Sequence, residues 1–157
     1  MWKRIINNVW VKIAAGIVVA GVLFVVIWSI EYSRPIPKEK LPASAQKFIA
    51  DYYADHSVLM IQKEMNELSI SYEVVFTGGT KLEFRRNGTW REVDCGAGEL
   101  IPEAILPSQI ATHLQENFPG SYVTRIEHDD RRYEVELNDH REVTFDDRTF
   151  WVTDYDD

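Results

Sequence analysis

From Ile13 to Ile30 the chain runs for eighteen residues without a charged side chain. Beyond residue 40 the pattern changes: apolar positions recur at helical and strand periods, and they do so twice. Ala45, Phe48, Ile49, Tyr52 and Tyr53 fall at the i, i+3, i+4, i+7, i+8 spacing of one helix face, and Ile110, Ala111, Leu114 and Phe118 repeat it. Leu41-Pro42 and Leu106-Pro107 precede the two segments, and proline suits the first turn of a helix. Asp55-His56-Ser57 predicts the end of the first helix and Pro119-Gly120 the end of the second.

Strand-like text follows each helix. Val58-Leu59-Met60-Ile61 corresponds to Val123-Thr124-Arg125-Ile126 at an offset of 65. Tyr72/Val74/Phe76 and Tyr133/Val135/Leu137 alternate as half-buried strands do, now at an offset of 61. Leu82 and Phe84 match Val143 and Phe145, and Trp90 matches Trp151. The change of offset puts four additional residues in the first unit, within Glu64–Ser71. Gly78-Gly79, Asn87-Gly88 and Asn138-Asp139 are hairpin-turn signals.

Each unit thus reads as one helix and about four antiparallel strands. An apolar helix stripe and an apolar sheet face must cover each other. The expected fold is α+β: two tandem αβ4 units, residues 41–95 and 106–155, forming one continuous eight-stranded antiparallel sheet with both helices on one face. Residues 33–40, rich in proline and lysine, read as an extended linker.

The apolar run changes the picture at the other end. Eighteen residues at 1.5 Å each cover about 27 Å, enough for a hydrocarbon core with its flanks. Trp10, Trp28 and Tyr32 sit where an interfacial aromatic belt would lie. The N-terminal residues 1–32 are therefore expected to be a transmembrane anchor with membrane contact through 13–30; a cleaved signal peptide is the alternative. The end of the run, Val26-Ile27-Trp28-Ser29-Ile30, is bulkier than a cleavage site. Lys3, Arg4 and Lys12 precede the span and Arg34, Lys38 and Lys40 follow it, so the count of flanking cations is a tie. A short basic N-tail that stays in the cytoplasm places the rest across the membrane.

All 25 acidic residues lie from Glu31 onward, against 14 Lys and Arg there, a formal charge of −11 for that portion. Such a surface repels nucleic acid, so no nucleic-acid partner is expected. Cys95 is the one cysteine, which excludes an intramolecular disulfide and reads as a bystander thiol. His56, His113, His128 and His140 form no HExxH or His–Cys motif, and no nucleophile elbow, P-loop or dinucleotide fingerprint occurs. No catalytic, cofactor or metal-binding residues are assigned. The acidic clusters Asp129-Asp130, Asp139, Asp146-Asp147 and Asp154-Asp156-Asp157 lack EF-hand spacing and read as solvated turns, with weak cation binding as the other reading. Trp90, Trp151, Phe150 and Tyr155 are candidate partner contacts if they lie on an open sheet face, and core residues if they lie beneath the helices. Glu67 and Leu68, in the longer loop of the first unit, are further contact candidates.

The run Arg34-Pro35-Ile36 followed by Leu41-Pro42-Ala43-Ser44-Ala45-Gln46-Lys47-Phe48-Ile49, with the twice-used Tyr-Glu-Val, Phe and Trp, resembles the PepSY-like family of β-lactamase-inhibitor-like bacterial envelope proteins, over about residues 34–154. The resemblance implies a periplasmic or surface protein with two αβ4 units side by side, and similarity to an inhibitor that grips its enzyme with a concave sheet. It carries over no catalytic residues. The expected function is a non-enzymatic, membrane-anchored envelope binding module that inhibits or regulates a hydrolase through a sheet face. The alternative is a structural or weakly cation-binding acidic envelope protein without a specific protein client.

Overall fold

Strand alternation and helix stripes resolve into one sheet covered on one face. The structure, a computed structural model, describes residues 32–65, 69–96 and 99–156. The predicted membrane span 13–30 and the loop residues Glu67 and Leu68 lie outside the described residues. Among the described residues no helix is long and apolar enough to cross a membrane.

The elements follow in order: β1 (Tyr32–Pro35), α1 (Ala43–Tyr52), β2 (Val58–Met65), β3 (Ile70–Phe76), β4 (Lys81–Arg85), β5 (Trp90–Asp94), α2 (Ser108–Asn117), β6 (Val123–Asp129), β7 (Arg132–Leu137), β8 (Glu142–Asp146) and β9 (Val152–Asp156). The nine strands lie side by side in sequence order, every neighbouring pair antiparallel. The fold is α+β, as the hydrophobic periods predict.

The linker expectation for residues 33–40 needs correction. Tyr32–Pro35 is an edge strand paired with Met65–Gln62, and Lys38–Lys40 is a 3-10 turn. A sheet edge offers unpaired N–H and C=O groups, and this segment takes them up. Ser33 Oγ also donates to Gln62 Oε1 (2.5 Å). Pro35 fits because a strand at an edge tolerates a missing donor. The sheet therefore has nine strands, not eight.

Pro42 and Pro107 occupy the N-cap positions of α1 and α2, and their carbonyls accept from Gln46 N and Ala111 N at 3.0 Å. The helices bury Ala45 and Ile49, and Ile110 and Leu114, against the sheet. The strand side of that core is a row of directly opposed residues on seven strands: Ile61, Val74, Leu82, Val93, Ile126, Val135 and Val143. All seven are buried, and each such side chain contributes about 1.5–3 kcal/mol by leaving water. The row crosses the β5–β6 junction without a break through Val93 opposite Ile126, so one core serves the whole sheet.

The offset change has a structural counterpart. Ile61 faces Val74 and Ile126 faces Val135, but β2 and β3 each run one residue further from that pair than β6 and β7, and the loop joining them is two residues longer.

Candidate functional site

Residues flanking the core row along each strand point the other way, because side chains alternate between faces. The register aligns them into a second row: Gln62, Glu73, Glu83, Glu92, Glu127, Glu134, Thr144 and Asp154, each directly across from the next. Five adjacent strands thus present five glutamates in line, on the face opposite the helices. Like charges directly opposite one another destabilise a sheet.

Three arginines pair with the row: Arg132 with Glu134 (3.6 Å) at its end, and Arg91 and Arg125 at its centre. Arg91 sits at the β-bulge between the Glu83–Glu92 and Phe84–Trp90 pairs. It reaches Glu83 (3.0 Å), Glu127 (3.1 Å) and Asp129 (3.2 Å). Arg125 reaches Glu92 (2.7 Å) and Glu127 (2.5 Å). Burial acts to lower the Arg125 pKa, but the hydrogen bond and charge of Glu92, with the charges of Glu127 and Glu134, outweigh it and hold the guanidinium above its ordinary value. Burial raises the Glu83 carboxyl above the usual carboxylate range, with Arg91 opposing it in part. The carboxylates at the centre are half sunk into the face: the side chains of Glu127 and Glu83 are 13% and 20% exposed. Arg85 ties the turn before β5 to β6 by donating to Trp90 O (2.9 Å) and His128 O.

The aromatic candidates divide between the two faces. Trp90 lies across from Phe84 on the helix side and is half-buried, 6.5 Å from Phe48 and 6.4 Å from Tyr133. Phe150 also packs on the core and stacks on Tyr133 (6.1 Å). Tyr155 lies across from Val143 and stacks on Phe118 (5.8 Å). Trp151 is 76% exposed.

Trp90 and Trp151 are therefore not equivalent, although each follows a core phenylalanine by six residues. Phe84 pairs with Trp90, but Phe145 pairs with Val152. The first turn closes between Arg85 N and Thr89 O around Gly88 (φ 81°). The second has no glycine and closes one residue later, between Asp146 N and Trp151 O, with Phe150 at φ 56°. Asp146 Oδ1 accepts from the N–H groups of Arg148 and Thr149 and shapes the wider loop. A slip of one residue moves a strand's side chains to the opposite face, and Trp151 is turned away from the core.

Several other polar groups are engaged locally. His56 pairs with Glu99 (2.6 Å), which also accepts from buried Thr80. These two hydrogen bonds, Thr80 first, hold the Glu99 carboxyl below its ordinary range. His128 stacks on Tyr133 (4.2 Å), His113 lies edge-on to Phe145 (5.3 Å) and His140 pairs with Glu136 (3.2 Å). Cys95 is buried, 3.9 Å from Tyr53 Oη, and burial raises its thiol pKa, which disfavours the reactive thiolate. Asp139 holds Arg141 (2.5 Å). Among the described residues no group of three or more His, Cys, Asp or Glu side chains is arranged to hold a metal ion.

The glutamate row went unrecognised in the sequence because alignment across strands is a property of register. Its one local signal was the Glu of the two Tyr-Glu-Val segments, Glu73 and Glu134, which mark its ends.

The family described as "Putative beta-lactamase-inhibitor-like, PepSY-like" matches residues 27–71 and 70–150. A "putative periplasmic protein" from Bacteroides vulgatus superposes with a TM-score of 0.76 at 38% identity, covering 80% of this chain and 97% of its own. A "putative calcium-regulated periplasmic protein" from Bacteroides thetaiotaomicron gives 0.77 at 38% identity, with the same coverage. A further B. vulgatus "putative periplasmic protein of unknown function" gives 0.74 at 27% identity, covering 82% of this chain and all of its own. Among curated proteins none matches.

Proposed function

The chain belongs to the PepSY-like, β-lactamase-inhibitor-like family, and from that membership we propose that it is a non-enzymatic binding module of the bacterial envelope, acting in the periplasm, that presents the open face of its sheet to another protein. It is anchored through residues 13–30, and its two αβ4 units, 41–95 and 106–155, contribute to one interaction face. Inhibition or regulation of an envelope hydrolase is the specific form of this reading.

The observation that carries it is the line of glutamates from Glu73 to Glu134. A surface needed only for solubility has no use for carboxylates stacked strand by strand and half withdrawn from water, where they repel one another. A cationic partner surface would complete the neutralisation that Arg91 and Arg125 begin. Exposed Trp151, at the margin by β9, is the aromatic anchor of that face; Glu67 and Leu68 remain further contact candidates.

The test immobilises the full-length chain in detergent and exposes it to envelope extract from its own organism. Stoichiometric retention of one protein by the wild type, lost in a folded Glu73→Lys/Glu134→Lys variant and unaffected by Trp90→Ala, supports the reading. Adding the retained protein's substrate then shows whether binding inhibits it. Equal retention by the charge-reversed variant removes the open face from the proposal.

A second reading is a weakly cation-binding acidic envelope protein, favoured by the description of the B. thetaiotaomicron relative as calcium-regulated. Its mark would be a rise in melting temperature at sub-millimolar calcium that magnesium does not reproduce. No shift sinks it.

A further inference from the structure

Arg91 and Arg125 on the open face are held in ion pairs, whereas three cations gathered at the β1 edge are not. Arg34, Lys40 and Lys63, with Ile36, Met65 and Tyr72, line a cleft of about 300 Å³ at the β1 edge of the sheet. Arg34, Lys63 and Tyr72 lie directly across from one another on β1, β2 and β3, on the helix side. Lys40 comes from the 3-10 turn that leads into α1, and Gln46 pins that turn by donating to Leu41 O (2.8 Å). None of the three cations forms an ion pair among the described residues, in a chain whose acids outnumber its bases.

In sequence, the β1 wall of the cleft lies close to the apolar run. Arg34 follows Ile30 by four residues, a reach of at most about 14 Å. A headgroup layer is about 5–7 Å thick on each side of the hydrocarbon. With the run inserted, the start of β1 has little room to leave the surface. The floor supplied by Ile36, Met65 and Tyr72 is apolar, as the glycerol end of a lipid requires, and the rim is cationic, as its phosphate requires.

We propose that this cleft is a binding site for the phosphate headgroup of an anionic phospholipid, seated between Arg34, Lys40 and Lys63 over Tyr72. Occupancy turns the β1 edge toward the bilayer and keeps the acidic open face off the membrane, whose own negative charge repels it. The inference is independent of what the open face binds.

The full-length chain in dodecyl maltoside micelles is titrated with dihexanoyl-phosphatidylglycerol, dihexanoyl-phosphatidylcholine and inorganic phosphate, with amide resonances as the readout. The expected result is saturable displacement of the Arg34, Lys40, Lys63 and Tyr72 signals by the phosphatidylglycerol alone. Its affinity should fall about tenfold or more in Lys40→Glu/Lys63→Glu and stay unchanged in the charge-matched control Arg86→Glu/Arg148→Glu. Arg34→Gln, whose backbone pairing with Lys63 is intact, should weaken binding if the double variant does not fold. Equal response to the zwitterionic lipid, equal loss in the control, or phosphate binding as tightly as the lipid each overturns the assignment, the last by making the ligand a soluble anion.

Discussion

Gly88 shows how one residue ties the sheet to a helix. Its φ of 81° suits glycine, and a Cβ there would meet Ser44 Oγ and lie 2.6 Å from Pro42 Cβ. The hairpin tip presses on the first turn of α1, where Ser44 Oγ donates to Asn87 O (2.8 Å). Gly88→Ala should therefore cost about 1–3 kcal/mol in denaturant unfolding, whereas Gly78→Ala, with open space around it and an ordinary φ, should cost less than about 1. The tryptophans separate in the same way. Trp90→Ala removes packing against Phe48 and Tyr133 and should cost about 2 kcal/mol or more, while Trp151→Ala should stay within about 0.5. Similar costs for the two would contradict the register shift. Glu83 gives a prediction in pH. Its folded pKa is raised, so the folded chain holds that proton more tightly than the unfolded one, and stability is lost as pH climbs from the ordinary carboxylate range through the raised value. Glu83→Gln, which keeps an acceptor for Arg91, should raise the melting temperature at pH 7, and the gain should shrink as pH falls toward about 4.

At the scale of elements, what was readable in the sequence was whatever repeats at a fixed period. Ala45, Phe48 and Ile49, or Tyr133, Val135 and Leu137, announce their own burial, and the helices and strands fall where those patterns place them. Elements defined by a neighbour were not readable. Tyr-Ser-Arg-Pro has no alternation of its own and is a strand because β2 offers it an edge. Trp151 looked equivalent to Trp90 because spacing from a phenylalanine is local, while the loop that decides its face depends on a glycine present in one turn and absent in the other. The candidate site suffered most, since no strand shows what its neighbour will place beside each Glu. The β5–β6 junction, with three aligned residue pairs, is the shortest in the interior of the sheet, yet the core row passes through it. Ile126→Ala should cost about 2–5 kcal/mol and shift a single unfolding transition seen alike by far-UV and near-UV circular dichroism. Two separated transitions would mean that each half holds its own core.

For the whole molecule, charge is arranged by face rather than spread evenly. The helix side carries a cluster of three cations at the β1 edge, and the open side carries the glutamate row. The opposing terms on the open side have different reach. Arg91 and Arg125 touch their carboxylates at 2.5–3.2 Å, whereas facing strands set successive glutamates about 5 Å apart at Cβ, and the −11 surplus beyond residue 30 acts over longer distances still. Raising sodium chloride from about 0.1 to 1 M shortens the screening length from about 10 to 3 Å. That weakens the distant repulsions more than the contact pairs. The melting temperature should therefore rise with salt, opposite to the behaviour of a fold held by surface ion pairs. Glu73→Gln/Glu134→Gln removes charge from the two ends of the row, taking no partner from Arg91 or Arg125 and only the long, exposed 3.6 Å pair from Arg132, so it should raise the melting temperature at low salt and flatten the salt response. A wild type whose stability is flat or falling with salt would mean that the arginines already neutralise the face, and the glutamate row would then hold no unspent charge for a cationic partner to neutralise.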